Sequence, residues 1–367
     1  MKRDVKDLSV NSERMLERLL TAMPEDPARF RDLCGGVEDW DLLLTRALHH
    51  NVESLLHHYL HQIGFTLPSA IEERVQRWKT IKDLWQTHVQ CALDETLATL
   101  EAASIPVIAL KGPILAERFY PDPRMRLSAD LDLLVASNDL DRAIAALKTI
   151  GYGAARESEA RFLRKYHYHI NLSRPCPPLI ELHFRLSDGF GVEVPAKEFL
   201  SRARVYGRRA GPVAYILSPE DEMLYLCIHA TVHRFLRLSW LYDIKLLLLR
   251  HPDLDWAALM RRAQSLRLVA PLRFACETLQ ARLGVRTPFD DATHHRTRTR
   301  IANFLLAATA RQPDPSRRFL LGKLGFMTAL CDGPGTAWAF LHRQLLLIAR
   351  RRAHRHFPSL TPEEWSY

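Results

Sequence analysis

Apolar residues recur every three to four positions through the first hundred residues, switch to short alternating runs in the middle, and return to helical spacing towards the end. Over 40–48 and 52–60 the spacing is helical; Val52, Leu55, Leu56, Tyr59 and Leu60 make one stripe, and Gly64 marks a stop. A longer periodic stretch over 70–100 leads into a first strand. From Ile105 to about Tyr215 short strands alternate with helices. A helix is predicted over 139–150, ending at Gly151. A strand pair follows over 166–172 and 179–184, joined by a turn rich in proline. From Pro219 onward the pattern is helical again. The pattern predicts an α+β fold, a small mixed β-sheet flanked by N- and C-terminal helical regions. Its expected parts are a helical region over 1–103, a strand-bearing core over 104–215 and a helical domain over 216–367.

Polar residues that interrupt the middle strands carry the candidate chemistry. Asp130 and Asp132 sit in Arg126-Leu127-Ser128-Ala129-Asp130-Leu131-Asp132-Leu133-Leu134-Val135. On a strand, residues two apart share a face, so both carboxylates aim at one point while Leu131 and Leu133 face the core. Like charges so close repel unless a cation lies between them. Mg²⁺ takes oxygen ligands and is held by one or two carboxylates plus substrate phosphates. Read alone, the pair also fits a turn or a surface.

Two further segments change that reading. Upstream, Ile108-Ala109-Leu110-Lys111-Gly112-Pro113 reads as a buried strand, a glycine turn and a helix start with proline at its first position. Backbone N–H groups at such a start, with the Lys111 ammonium, suit phosphate oxygens. Downstream, Leu179-Ile180-Glu181-Leu182-His183-Phe184 alternates, with Glu181 and His183 on one face. A third carboxylate beside an Asp-x-Asp strand completes a site for two metal ions, which clamp the attacking and leaving oxygens of an in-line displacement at phosphorus.

These residues resemble the nucleotidyltransferase superfamily typified by the polymerase-β-like palm. More narrowly, they are similar to the uncharacterised bacterial nucleotidyltransferase family, the fifth nucleotidyltransferase group. The likeness rests on Leu110-Lys111-Gly112, Tyr120-Pro121-Asp122, Arg126 to Val135, Gly151-Tyr152 and Glu181-Leu182-His183-Phe184. It continues through Leu217-Ser218-Pro219-Glu220-Asp221 to His229, His233, Trp240 and Asp243, covering roughly residues 35–250. Ala129 stands where the group has Gly, and Phe184 where it has Trp. Lys111-Gly112 departs from the Gly-Ser or Gly-Gly of the wider superfamily.

The resemblance implies a Mg²⁺-dependent enzyme moving a nucleoside monophosphate from a triphosphate, foremost ATP, to an acceptor hydroxyl of a small molecule or a peptide or protein. Asp130, Asp132 and Glu181 would be catalytic and would hold two Mg²⁺ ions. Lys111, Gly112, Arg126 and His183 would contact the nucleotide; Arg126 would neutralise charge or brace the aspartate strand. The rival from another class is a non-catalytic binding or scaffold protein on the same fold.

Bulk properties narrow the partners little. With 51 Lys+Arg against 42 Asp+Glu the net charge is +9, which favours anions in general, nucleic acid included, without choosing among them. Six dispersed cysteines without a Cys-x-x-Cys pair argue against a zinc knuckle or a disulfide framework. With no apolar signal core or membrane-length apolar run, the expectation is a reduced, soluble, cytoplasmic protein without a membrane partner. Arginine-rich stretches at 296–300 and 350–355 read as basic faces, with no aromatic RNA-recognition pattern beside them. His229 and His233, one helical turn apart, read as packing or substrate contacts rather than zinc ligands. His167 and His169 share a strand face, solvated or turned towards Glu181.

Overall fold

Five helices build the N-terminal part: α1 (Val5–Ala22), α2 (Pro27–Gly35), α3 (Trp40–His49), α4 (Glu53–Gln62) and the 34-residue α5 (Ser69–Ala102). The computed structural model describes residues 5–154, 164, 167–187, 189–208, 211–289, 296–310 and 317–353. Short carboxylates cap two of these helices. Asp26 Oδ1 accepts from Arg29 N and Asp39 Oδ1 from Leu42 N, each at 2.9 Å, satisfying donors that a helix start leaves open. The helix α4 ends just before Gly64, which takes a φ of +67° that few other residues tolerate.

Past α5 the chain alternates β1 (Val107–Ala109), α6 (Pro113–Phe119), β2 (Asp130–Val135) and α7 (Leu140–Lys148), then β3 (Gly153–Ala154), β4 (His169–Ser173) and β5 (Leu179–His183). A two-stranded ribbon of β6 (Arg185–Ser187) and β7 (Val194–Pro195) leads to the short α8 (Ala196–Leu200), β8 (Arg204–Tyr206) and β9 (Ala214–Ile216). Seven strands form one sheet in the order β3-β4-β5-β2-β1-β9-β8. The pairs β2–β5 and β1–β9 are parallel and the other four antiparallel, so the sheet is mixed. The expected strand over 166–172 begins at His169, and Tyr166 lies outside the described residues.

Alternation splits the sheet between two cores. Leu131, Leu133 and Val135 of β2, with Ile180 and Leu182 of β5, pack under Val89, Leu93 and Leu97 of α5 and Leu140 and Leu147 of α7. On the other face Ile108, Leu110 and Leu134 join the larger core. That core is shared by the N-terminal helices and the C-terminal ones: α9 (Pro219–Val232), α10 (Leu238–Arg250), α11 (Trp256–Ser265) and α12 (Val269–Leu283). Three more helices follow, α13 (Arg296–Ala310), α14 (Arg317–Ala329) and α15 (Pro334–Ala353). The arginine-rich stretches open α13 and close α15; residues 354 and 355 of the second lie outside the described residues. No helix among the described residues is long and apolar enough to cross a membrane.

The segment Leu217-Ser218-Pro219-Glu220-Asp221 makes the start of α9. Ser218 Oγ accepts from Asp221 N, and Pro219 occupies the first turn. Acidic residues follow where the helix dipole favours them. Two of them are buried anchors: Asp221 meets Arg202 at 2.9 Å, and Glu222 takes both arms of Arg118 at 2.6 and 2.8 Å. These pairs tie α9 to α6 and to the segment after α8.

Candidate active site

Strand alternation puts Asp130 and Asp132 on the face opposite Leu131 and Leu133, as read from the sequence. The parallel partner β5 brings Glu181 directly opposite Asp132. One oxygen from each of Asp130, Asp132 and Glu181 lies within 4.8 Å of the others. Asp132 is only 2% exposed, and its Oδ2 is buried with no hydrogen-bond partner. Native structures seldom leave such an atom unsatisfied, and an ion is one of the groups that completes it. An oxygen-rich set of three carboxylates fits a hard divalent cation.

The charges around this set are uneven. Lys111 Nζ lies 3.1 Å from Asp132 Oδ1. Burial works against the Lys111 charge, but Asp132, Asp130 and Glu181 outweigh it and raise its pKa. Burial pushes Asp130 up to about 7, against the pull of Lys111 and with the repulsion of Asp132 and Glu181 added. Burial also opposes the Glu181 charge, yet the bond from His183 and the nearby Lys111 hold that carboxyl down at about 2. His183 Nε2 is 3.3 Å from Asp132 Oδ1 and 3.5 Å from Glu181 Oε2. Its pKa is raised, because these two carboxylates outweigh the cost of burying an imidazolium.

The turn before α6 is bonded to the aspartate strand. Leu110 N donates to the Asp132 carbonyl at 3.0 Å, which carries Lys111 over the carboxylates. Gly112 caps α6 at φ +71°, and a Cβ there would meet Ser128 Oγ at 3.4 Å and the Asp130 carbonyl at 3.6 Å. Glycine is therefore favoured by the backbone angle, the contacts of a Cβ there being ordinary ones. Trp85 Nε1 and Gln86 Nε2 of α5 donate to the Ser128 carbonyl at 2.7 and 3.2 Å, holding the segment that leads into β2.

Residues 37–284, more than half of the chain, match the family described as uncharacterised nucleotidyltransferase. The chain belongs to that nucleotidyltransferase family. No curated protein matches it.

Several residues of the family's motif pattern pair with one another in the interior. Arg126 is buried, with Nε 2.9 Å and Nη2 2.8 Å from the Asp243 carboxylate of α10. Tyr120 donates its hydroxyl to the same carboxylate at 2.8 Å. Of the two roles read for Arg126, the geometry matches bracing: its fork is committed to Asp243, and Nη1 reaches Ser128 Oγ at 3.2 Å. Asp243, fully buried, anchors α10 against the start of β2.

A stripe of rings runs along α9 and the residue that caps it. Tyr225, His229 and His233 follow at four-residue steps along one stripe, with ring centroids 6.0 and 4.4 Å apart. Trp240 packs 5.3 Å from His229 and 5.2 Å from His233. Burial and the positive Lys111 lower the pKa of His229, and they take His233 down to about 3. Burial raises Tyr225, helped by the negative Asp132, Glu181 and Asp130. The stripe thus sits in the field of the site as neutral rings. Among the described residues, the groups of three or more metal donors are Asp130–Asp132–Glu181 and His169–Glu181–His183, so His229 and His233 belong to neither. Sequence reading missed Tyr225, Trp85, Gln86 and Ser128. Only the four-residue step to His229 and His233 offered a signal for Tyr225.

Proposed function

We propose that this protein transfers a nucleoside monophosphate from a triphosphate, ATP foremost, to a hydroxyl of a small molecule or a peptide or protein, releasing pyrophosphate. The observation that carries the reading is the convergence of Asp130, Asp132 and Glu181 from adjacent parallel strands, with Asp132 Oδ2 left unpartnered. Asp130 and Asp132 would hold two Mg²⁺ ions, with Glu181 completing the one nearer the acceptor. Bound there, the ions supply charge neutralisation at the phosphates and ease deprotonation of the acceptor hydroxyl. The protein's own contribution is orientation and a preset field. His183 holds Asp132 and Glu181 in place, Arg126 fixes the strand through Asp243, and Gly112 supplies the positive φ of the turn. Lys111, an ammonium with three donors, is shared between Asp132 and outgoing phosphate oxygens. The Tyr225, His229 and His233 rings, neutral within the field of the carboxylates, would give the base surroundings unlike those of the phosphates.

The test of this assignment is a kinetic comparison on the β5 strand, with each α-labelled triphosphate, Mg²⁺ and a cell extract as the source of acceptor. Glu181→Gln is expected to lower turnover by orders of magnitude, because it removes a ligand charge needed in the transition state. His183→Ala is expected to act more mildly, through positioning. A far larger loss for His183→Ala would reverse the roles on this strand.

Lys111→Met separates two uses of the lysine. If the ammonium grips phosphates throughout, the apparent KM for triphosphate rises; if it acts as pyrophosphate departs, kcat falls. Both constants staying within about twofold, roughly 0.4 kcal/mol, would remove Lys111 from the site.

A further inference from the structure

We infer that His169, Glu181 and His183 form a nitrogen-donor metal position beside the acidic one, suited to a borderline ion such as Mn²⁺, Co²⁺ or Zn²⁺ rather than Mg²⁺. Its catalytic meaning rests on the function proposed above; its existence does not. His169 on β4 lies directly opposite His183 on β5, and their ring centroids are 5.1 Å apart. Since Glu181 is two residues from His183, strand alternation puts all three on the face that carries Asp132. One donor atom of each lies within 4.8 Å of the others, and Glu181 belongs to both this group and the three-carboxylate group.

The spacing is that of ligands around an ion. A tetrahedral set about 2.1 Å from a metal has edges of about 3.4 Å. Within the set, His183 Nε2 stands 3.5 Å from Glu181 Oε2. The second observation is independent of spacing. Nδ1 of His169 and Oδ2 of Asp132 are buried without a hydrogen-bond partner, while His183 offers the Nε2 that bonds the carboxylates when no metal is bound. Native structures seldom leave buried polar atoms unsatisfied, and an ion is one of the groups that completes them. Imidazole suits borderline transition ions, whereas Mg²⁺ prefers oxygen and keeps its waters. Two histidines next to a three-carboxylate set therefore bias one position away from Mg²⁺.

The full-length protein, stripped with a chelator and loaded with one equivalent of Mn²⁺, tests this by pulsed electron paramagnetic resonance. The expected result is ¹⁴N modulation from coordinated imidazole, and its absence overturns the inference. A Co²⁺ titration gives the second readout. Joint replacement His169→Ala and His183→Ala is expected to weaken Co²⁺ at least tenfold, while an unchanged Kd overturns the assignment. If that double variant does not fold, the wild-type spectrum and His169→Gln alone decide, the latter again by at least tenfold weakening. Failure here is distinguishable from failure of the proposed function. Label transfer with Mg²⁺ but no nitrogen coupling removes this position only; nitrogen coupling without transfer removes the function only.

Discussion

Joint replacement of Asp130 and Asp132 by asparagine is expected to abolish nucleotidyl transfer while leaving the fold intact. Losing a single preset electrostatic group in an active site costs about 10²–10³-fold. Both aspartates are shared by the proposed ions, so a loss of at least ~10³-fold, about 4 kcal/mol, is expected. Stability follows a different course because the wild-type carboxylates repel each other without a cation. Asp130 has a folded-state pKa raised to about 7, so the folded chain holds a proton that the unfolded chain releases near 3.8. Its contribution to stability is full below the lower value and is lost as pH rises through the higher one. His183, also raised, changes stability in the same direction, whereas Glu181, held at about 2, is already ionised in both states above about pH 5. Metal-free wild type should therefore lose stability between about pH 5 and 7, and Asp130→Asn should flatten that slope. Denaturant midpoints across this range check the expectation. Turnover by the double variant at the wild-type rate would contradict the site.

The second large effect is structural. Asp243→Ala leaves the buried Arg126 guanidinium without its carboxylate and the Tyr120 hydroxyl without its acceptor. Breaking a buried pair in this way costs about 3–5 kcal/mol, because an uncompensated charge stays in the interior. Whole-domain stabilities are about 5–15 kcal/mol, so a large share would be lost. A fall in the urea midpoint with unchanged slope is the expected record. A loss below about 1 kcal/mol would show that the pair braces little and would return Arg126 to a direct role at the nucleotide.

How far the sequence revealed the site depends on the range of each interaction. The faces of Asp130, Asp132, Glu181 and His183 were legible because alternation along a strand is local. The register that sets Asp132 opposite Glu181 was not, since pairing of two parallel strands is decided by the whole sheet. Arg126 shows the same limit. Beside an Asp-x-Asp strand it resembles a phosphate ligand, yet its partner Asp243 lies 117 positions away. Lys111 before a glycine turn reads as a phosphate lysine, and only the backbone bond from Leu110 to Asp132 reveals that its ammonium also serves the carboxylates. Strands of two or three residues, such as β3, β8 and β9, are too short to show any period. Apolar helical stripes marked the N- and C-terminal helices but could not tell that both pack into one core.

The most direct measurement follows which phosphorus stays with the acceptor. The protein, a divalent ion and cell extract are incubated in parallel with triphosphate labelled at the α or at the γ position. The proposed function predicts α-label on the acceptor, γ-label in pyrophosphate, and neither outcome with the Asp130→Asn, Asp132→Asn variant. Label passing to the acceptor from the γ position, or no transfer from any triphosphate, would contradict it.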